Sequence, residues 1–218
     1  MRFKNREEAA RLLAGKLARY NGLHPLVLAI PRGAVPMGTI IADALEGELD
    51  VVLVRKLGAP GEPELAVGSI DENGRIYRGH VPIDVDPAYL EAEAAAQLQT
   101  IRRRRALYSP IHPPIDPAHR IVIVVDDGVA TGASMIAALR ATRSKQPKQL
   151  VAAMAVAPPE TLREIAEYAD KVVCLASPEN FYAVGQFFEQ FYEVSDEDVA
   201  EILTRFWRVR RDKLASTR

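Results

Sequence analysis

Short, continuous runs of apolar residues alternate with segments of helical pattern along most of the 218-residue chain. The runs lie at residues 26–30, 51–54, 121–125, 150–156 and 172–175. Strands of a parallel sheet are buried on both faces and therefore read as continuous apolar runs, whereas half-exposed strands alternate apolar with polar residues. We therefore predict an α/β fold with a parallel sheet core flanked by helices.

The helices and turns between these runs show no boundary between domains. Helices are predicted at residues 6–20, 36–45, 89–107, 134–143, 161–168 and 195–210. The dipeptide Asn73-Gly74 predicts a β-hairpin, because both residues tolerate the backbone angles of a tight turn. We expect a single domain over residues 1–218, with its core at residues 24–176.

The composition is that of an ordinary globular protein, and it excludes several classes of function. Apolar residues make up 48%, charged residues 26%, and the formal net charge is −1. No overall charge therefore attracts the chain to nucleic acid or to an anionic membrane. The single cysteine excludes an internal disulfide framework, and the four histidines show no metal-ligand spacing. Since the chain has neither an apolar run of roughly 20 residues nor a signal-peptide pattern, we expect a cytoplasmic protein without membrane contact.

In parallel α/β sheets, ligands bind at the carboxyl ends of the strands, so we examine the loops after residues 30, 54 and 125. The last of these begins with Asp126 and Asp127 and continues through small residues into a helix. Small residues let backbone N–H groups approach an anion, and adjacent carboxylates suit the vicinal hydroxyls of a ribose. The pattern predicts a ribose 5-phosphate site. The alternative is a solvated acid pair in a glycine-rich turn.

The same segment resembles the motif by which type I phosphoribosyltransferases bind phosphoribosyl pyrophosphate (PRPP). Asp126 and Asp127 match the two acids of that motif, which implies that they bind the ribose. Residues 130–134 match its 5-phosphate loop. The implied 5-phosphate site comprises Gly128, Val129, Ala130, Thr131, Gly132, Ala133 and Ser134.

The loop after residue 30 joins a strand to a helix and contains Arg32 and Gly33. Gly33 could present an exposed N–H group to a ligand, and Arg32 supplies a fixed positive charge. In the family that the chain resembles, the loop at this place binds pyrophosphate. A plain strand-to-helix turn is the alternative. A P-loop is rejected because no lysine precedes Thr39.

The loop after residue 54 begins with Arg55 and Lys56, and glycines and prolines at residues 57–63 predict an exposed connection. The family carries a mobile loop here, with basic residues that meet the pyrophosphate. The resemblance therefore implies pyrophosphate binding by Arg55 and Lys56 and a catalytic role for Lys56. The alternative is a solvated basic pair. Residues 55–70 are similar to a little-characterised bacterial subgroup of the family.

The resemblance implies an enzyme, a pentosyltransferase of nucleotide salvage. It would transfer ribose 5-phosphate from PRPP to a purine or pyrimidine base and release pyrophosphate. Mg²⁺ would be the cofactor, held mainly by PRPP and water rather than by protein ligands, and Asp127 would be a catalytic proton acceptor. We also expect a homodimer. The alternative function is a PRPP-sensing regulator without catalysis, which would need a surface for nucleic acid.

Two further features concern the variable parts of the chain. Aromatic residues crowd the region after the last strand: Phe181, Tyr182, Phe187, Phe188, Phe191 and Tyr192. They form either a base-stacking wall or a packed lobe or dimer face. With the N-terminal helix, residues 177–194 are the candidate for the hood, the small lobe that recognises the base in the family.

The basic run 102–105 is interpreted as a solvated helix end, with nucleic-acid contact as the alternative.

Overall fold

The structure, a computed structural model, describes residues 2–78 and 85–216; the other residues of the predicted domain lie outside the description. Its helices are α1 (Arg6–Lys16), α2 (Val35–Ala44), α3 (Pro87–Tyr108), α4 (Ala133–Arg143), α5 (Pro159–Ile165) and α6 (Asp196–Ser216). Its strands are β1 (Leu26–Ala29), β2 (Glu48–Val51), β3 (Val54–Ala59), β4 (Glu62–Asp71), β5 (Ile76–Arg78), β6 (Ile121–Asp126), β7 (Gln149–Val156) and β8 (Lys171–Ala176). Within the part described, no helix is long and apolar enough to cross a membrane.

Five of the strands form a parallel sheet in the order β2-β1-β6-β7-β8. This arrangement confirms the α/β fold predicted from the apolar runs. Ala29 in β1 pairs with Val51 in β2 on one side and with Val125 in β6 on the other. Because the three strands end at the same level, the loops that follow them meet at one edge of the sheet.

Alternate side chains of the parallel strands enter two hydrophobic cores on opposite faces of the sheet. Ile123 and Val151 belong to the core that α1, α2 and α6 cover. Val124 and Ala152 belong to the core that α4 and α5 cover. Burial on both faces explains why these strands carry no polar alternation.

The predicted strand at residues 51–54 is wrong, because the chain changes sheets inside that apolar run. Strand β2 ends at Val51 and β3 begins at Val54. Val52 and Leu53 are buried at the crossing, so the sequence stays apolar although the backbone leaves the parallel sheet. Arg55 and Lys56 consequently lie inside β3 rather than in a loop. The predicted exposed connection at residues 57–63 shrinks to the short turn between β3 and β4.

Strands β3, β4 and β5 form a separate antiparallel sheet, which packs between α3 and α4. The hairpin predicted at Asn73-Gly74 is confirmed as the connection between β4 and β5. Gly74 has a φ of +80° and donates its N–H to the carbonyl of Asp71 over 3.0 Å. Arg55 and Lys56 belong to β3 of this small sheet and therefore lie outside the parallel sheet.

An ion network ties the small sheet to the main one, and it corrects the interpretation of the basic run 102–105 as a solvated helix end. Arg105 of α3 lies 2.8 Å from Glu72 in the turn after β4 and 3.7 Å from Asp50 of β2. Burial raises the pKa of Asp50, and the positive charge of Arg105 opposes that shift. Arg105 is therefore a structural contact between α3, the hairpin and the edge strand.

Replacing Arg105 tests this network. We expect Arg105→Met to lower the free energy of unfolding by on the order of 3 kcal/mol, because it removes the ion pair with Glu72 and the positive charge that faces the buried carboxylate of Asp50. Denaturant unfolding of the two proteins measures the difference. Arg102→Met, at an exposed position of the same helix, is the control and should change stability by less than about 0.5 kcal/mol. Equal stability of the two variants would contradict the structural role of Arg105.

Candidate functional site

The loops after β1 and β6 touch each other at the carboxyl edge of the parallel sheet. Strand pairing continues past β1, since the N–H of Ile30 donates to the carbonyl of Val125 over 3.0 Å. The backbone of Gly33 then passes so close to Asp127 that a Cβ atom at this position would overlap Oδ2 of the carboxylate. Only glycine permits this approach. The structure therefore brings together the two loops that the sequence analysis selected.

Asp126 and Asp127 form the centre of this edge. Oδ1 of Asp126 accepts the backbone N–H of Asp127 over 2.9 Å. Oδ2 of the buried Asp127 accepts a hydrogen bond of 2.8 Å from Nε of Arg6, at the start of α1. Thus one acid is held by the backbone and the other by a guanidinium.

The surroundings raise the pKa of both acids, but to different extents. Burial raises the pKa of Asp126 well above its usual range, and the adjacent charge of Asp127 raises it further. Burial also raises the pKa of Asp127, while the positive charge of Arg6 opposes that shift. An acid pair with raised pKa values at the mouth of a sheet is typical of a functional site, since a purely structural role would favour neutral residues there.

The small-residue loop continues from Asp127 into α4. Its base is fixed: the N–H of Val129 donates to the carbonyl of Val156 over 2.8 Å, and the hydroxyl of Thr161 donates to the carbonyl of Ala130 over 2.7 Å. Gly132 caps α4 with a φ of +82° and without a side-chain hydrogen bond. The N–H groups of the first helical turn have no partner within the helix. N–H groups at such a helix start are suited to bind an anion, and here they lie a few residues from the acid pair.

The three basic residues predicted to bind pyrophosphate come from two different elements. Arg32 follows Pro31 through a cis peptide bond, and its Nη2 lies 2.9 Å from Oε1 of Glu193. Arg55 donates from Nε to Oε1 of Gln97 in α3 over 2.8 Å, so it faces α3. Lys56 is the next residue of β3, and adjacent side chains of a strand point to opposite faces. Arg55 and Lys56 therefore face different sides of the small sheet.

The N-terminus and the aromatic region after β8 join into one unit over the acid pair. Phe3 and residues 187–189 are linked by backbone hydrogen bonds of 2.7 Å and 2.9 Å. Phe188 is buried and stacks on Phe191, whereas Tyr182 is 89% exposed. The guanidinium of Arg6 lies 3.9 Å from the ring centroid of Phe191. Most of these aromatic rings are therefore packed within the unit.

Arg6 is the functional residue that the sequence analysis missed. It stands 121 positions before Asp127, in a polar N-terminal helix with no motif around it. No local pattern of the sequence distinguishes it from Arg11, the other arginine of α1. Its contacts with Asp127 and with the carbonyl of Tyr192, at 2.6 Å, appear only in the folded chain.

Within residues 2–78 and 85–216, no group of three or more His, Cys, Asp or Glu side chains is placed to hold a metal ion. The adjacent carboxylates of Asp126 and Asp127 supply the hard oxygen atoms that Mg²⁺ prefers, but only as a pair. The donor set therefore fits an Mg²⁺ ion that shares its remaining ligands with a phosphorylated substrate and water.

Comparison with known proteins gives a consistent picture. Residues 3–191 match the family model of the phosphoribosyl transferase domain. Proteins from two Mycobacterium tuberculosis strains, CDC 1551 and H37Rv, are 40% identical over 209 residues and are named only provisionally as phosphoribosyl transferases. The match covers 94% of this chain and 47% of each relative, so the chain spans about half their length.

A solved structure shares the whole fold. The crystal structure of TT1426 from Thermus thermophilus is 45% identical in sequence and superposes with a TM-score of 0.83. The match covers 94% of this chain and 99% of that one. The fold of this chain is therefore that of a solved protein over nearly the whole length of both.

The raised pKa of Asp126 predicts that this residue lowers stability at neutral pH. In Asp126→Asn the amide oxygen can still accept the N–H of Asp127, but no charge has to be buried. We expect the variant to melt at a higher temperature than the wild type at pH 7. As the pH falls through the folded-state pKa of Asp126, the wild-type carboxyl group takes up a proton. The difference should then shrink, and it should vanish below the unfolded pKa of about 3.9.

Asp170→Asn is the matched control with the opposite sign. Hydrogen bonds from Arg143 lower the pKa of Asp170, so its ionised form stabilises the fold at neutral pH, and that contribution is lost as the pH falls. This variant should melt below the wild type at pH 7. Thermal scans from pH 3 to pH 8 compare all three proteins. A lower melting temperature of Asp126→Asn than of the wild type at pH 7 would contradict the raised pKa of Asp126.

Proposed function

This chain belongs to the phosphoribosyl transferase family, and from that premise we propose that it transfers ribose 5-phosphate from PRPP to a nitrogenous base. The observation that carries the proposal is the adjacent pair of the partly buried Asp126 and the buried Asp127, beside the N-terminus of α4, which has no side-chain cap. The pair offers carboxylate oxygens to vicinal hydroxyls, and the helix offers N–H groups to a phosphate. A ribose 5-phosphate has both groups.

In this proposal the hydroxyls of the ribose donate to Asp126 and Asp127. The 5-phosphate accepts from the backbone of residues 130–134 and from the hydroxyls of Thr131 and Ser134. Gly128 and Val129 shape the turn instead, since the N–H of Val129 already donates to Val156. This supports a narrower 5-phosphate site than residues 128–134.

The pyrophosphate of PRPP would lie on the loop that carries Arg32 and Gly33. Arg55 supports this placement, because burial and the positive charges of Arg104 and Arg32 all lower the pKa of Arg55. Lys56 lies on the other face of β3. Its catalytic role stays a prediction.

The reaction breaks the bond between the anomeric carbon and the pyrophosphate oxygen, and the pyrophosphate leaves with the electron pair. A ring nitrogen of the base forms the new bond to carbon and releases its proton. Asp126 and Asp127 stabilise the positive charge that develops at the anomeric carbon. Arg6 favours the ionised form of Asp127, which is the form able to accept the proton.

Mg²⁺ fits this site as a cofactor carried by the substrate. Asp126 and Asp127 would contact it through the ribose hydroxyls and water. When bound, it neutralises part of the charge of the leaving pyrophosphate. The protein's own contribution to the same charge comes from the arginines.

The unit formed by the N-terminus and residues 177–194 is the proposed hood. Arg6 donates hydrogen bonds to Asp127 and to the carbonyl of Tyr192, and so connects this unit to the acid pair. An acceptor base would enter between this unit and the ribose. The exposed ring of Tyr192 is available to stack on a purine or a pyrimidine. The homodimer stays a prediction that sedimentation can test.

The regulatory alternative is not favoured. It needs a basic surface for nucleic acid, and the run 102–105 is a poor one, because Arg104 and Arg105 are engaged in ion pairs with carboxylates of the same chain. Arg102 and Arg103 are then the exposed charges of that run. Two adjacent arginines make a weak electrostatic footprint for nucleic acid.

The proposed function predicts both stabilisation by PRPP and release of pyrophosphate. With Mg²⁺, PRPP at a hundredfold excess over its dissociation constant should stabilise the fold by about 2.7 kcal/mol, seen as a higher melting temperature. Pyrophosphate release should then occur with one or a few bases of a purine and pyrimidine panel. Asp126→Asn is the control and should lose the shift. No shift at millimolar PRPP and Mg²⁺ would count against the proposal.

Arg55 and Lys56 should differ in their effects, because they face opposite sides of β3. Arg55→Gln should weaken PRPP binding, since Arg55 already lies beside Arg32. Lys56→Ala should reduce turnover on the order of 10²-fold with little change in PRPP affinity, because its contact would form only as the transition state is reached. Steady-state kinetics and PRPP titration separate the two effects. Weaker binding with unchanged turnover in Lys56→Ala would make Lys56 a ground-state contact.

A further inference from the structure

Arg104, on the inner face of α3, carries a guanidinium that the fold only partly satisfies. Its side chain is 13% exposed, and its Nε lies 3.0 Å from Oδ1 of Asp196. The geometry does not make a hydrogen bond, so Nε is buried without a hydrogen-bond partner among the described residues. The same Oδ1 atom already accepts the hydroxyl of Tyr108 over 2.9 Å. The carboxylate of Asp196 is therefore shared between Tyr108 and Arg104, and it satisfies the guanidinium only in part.

The carboxylates that hold Arg104 and Arg32 come from one short segment. Asp196 is the first residue of α6, and Glu193, three positions earlier, lies 2.9 Å from Nη2 of Arg32. This segment brings the two guanidiniums to the same side of the molecule. The side chain of Glu193 is 82% exposed. Its ion pair is of the weak surface kind, which an incoming anion can displace.

Arg55 adds a third positive charge to this group. Burial lowers its pKa, and the positive charges of Arg104 and Arg32 lower it further. The three guanidiniums reach this region from three elements: α3, the loop after β1, and β3. Guanidiniums bind carboxylate and phosphoryl oxygens with the same planar donor geometry. A ligand with two linked phosphoryl groups could bridge such a cluster.

We propose that Arg104 is a third pyrophosphate-binding residue beside Arg32 and Arg55, and that Glu193 and Asp196 occupy these arginines until pyrophosphate displaces them. This inference rests on the proposed function. It extends the proposed pyrophosphate site from the loop after β1 and the small sheet to Arg104 in α3. In this proposal the carboxylates of Glu193 and Asp196 compete with pyrophosphate for the arginines.

A structural role for Arg104 is the competing explanation, since its pair with Asp196 also fastens α3 to α6. The two explanations differ in which ligand they affect. A purely structural contact influences all ligands of the site through stability alone. A pyrophosphate contact discriminates between PRPP and ribose 5-phosphate, which lacks the two phosphoryl groups.

The test measures, by calorimetry, the binding of PRPP, pyrophosphate and ribose 5-phosphate, each with Mg²⁺. Arg104→Gln should bind PRPP and pyrophosphate roughly tenfold more weakly, as expected for a lost hydrogen bond to a charged group, and ribose 5-phosphate as the wild type does. Arg103→Gln, at the exposed neighbouring position, is the control and should bind all three ligands unchanged.

Asp196→Asn provides an independent reading should Arg104→Gln fold poorly. Its amide oxygen can still accept the hydroxyl of Tyr108, but it no longer competes as an anion for Arg104. Pyrophosphate should bind several-fold more tightly to this variant. Unchanged pyrophosphate binding in both variants, with PRPP still binding to the wild type, would overturn the role of Arg104. A wild type that binds no PRPP would instead overturn the proposed function.

Discussion

Two adjacent carboxylates that are largely removed from water repel each other and lose hydration, and the fold around Asp126 and Asp127 has to compensate for both effects. The backbone N–H of Asp127 stabilises one acid, and Arg6 stabilises the other. Gly33 leaves the space that the second carboxylate needs. The position of α1, the loop after β1 and the aromatic unit around Phe191 all follow from holding this pair.

Charges around the edge of the sheet are separated in a way that the net charge of −1 conceals. The acids lie at the end of β6, whereas the arginines of the proposed pyrophosphate site, Arg32, Arg55 and Arg104, come from the loop after β1, the small sheet and α3. An anomeric carbon that becomes positively charged between the acids and the arginines would have carboxylates on one side. On the other side it would have guanidiniums that bind the departing pyrophosphate. This polarity suits the transfer of a ribosyl group better than a general anion site would.

The parallel sheet could be predicted from the sequence because burial on both faces leaves a local signal, as in residues 121–125. The crossing at Val52 and Leu53 could not, since a buried crossing is as apolar as a buried strand. For the basic run a signal was present. Arg104 and Arg105 stand three and four positions after the buried Ile101, so helical periodicity places them on the inner face of α3 and leaves their two neighbours outside. The role of Arg6 left no signal, because its partner is distant in sequence.

PRPP would bind at the carboxyl edge of the parallel sheet. A crystal structure of the chain with PRPP and Mg²⁺ tests that placement most directly. We predict the ribose hydroxyls on Asp126 and Asp127, the 5-phosphate on the backbone of residues 130–134, and the pyrophosphate among the arginines. Glu193 should have moved away from Arg32. PRPP bound elsewhere on the chain, or bound at this edge without contact to either acid, would contradict this placement.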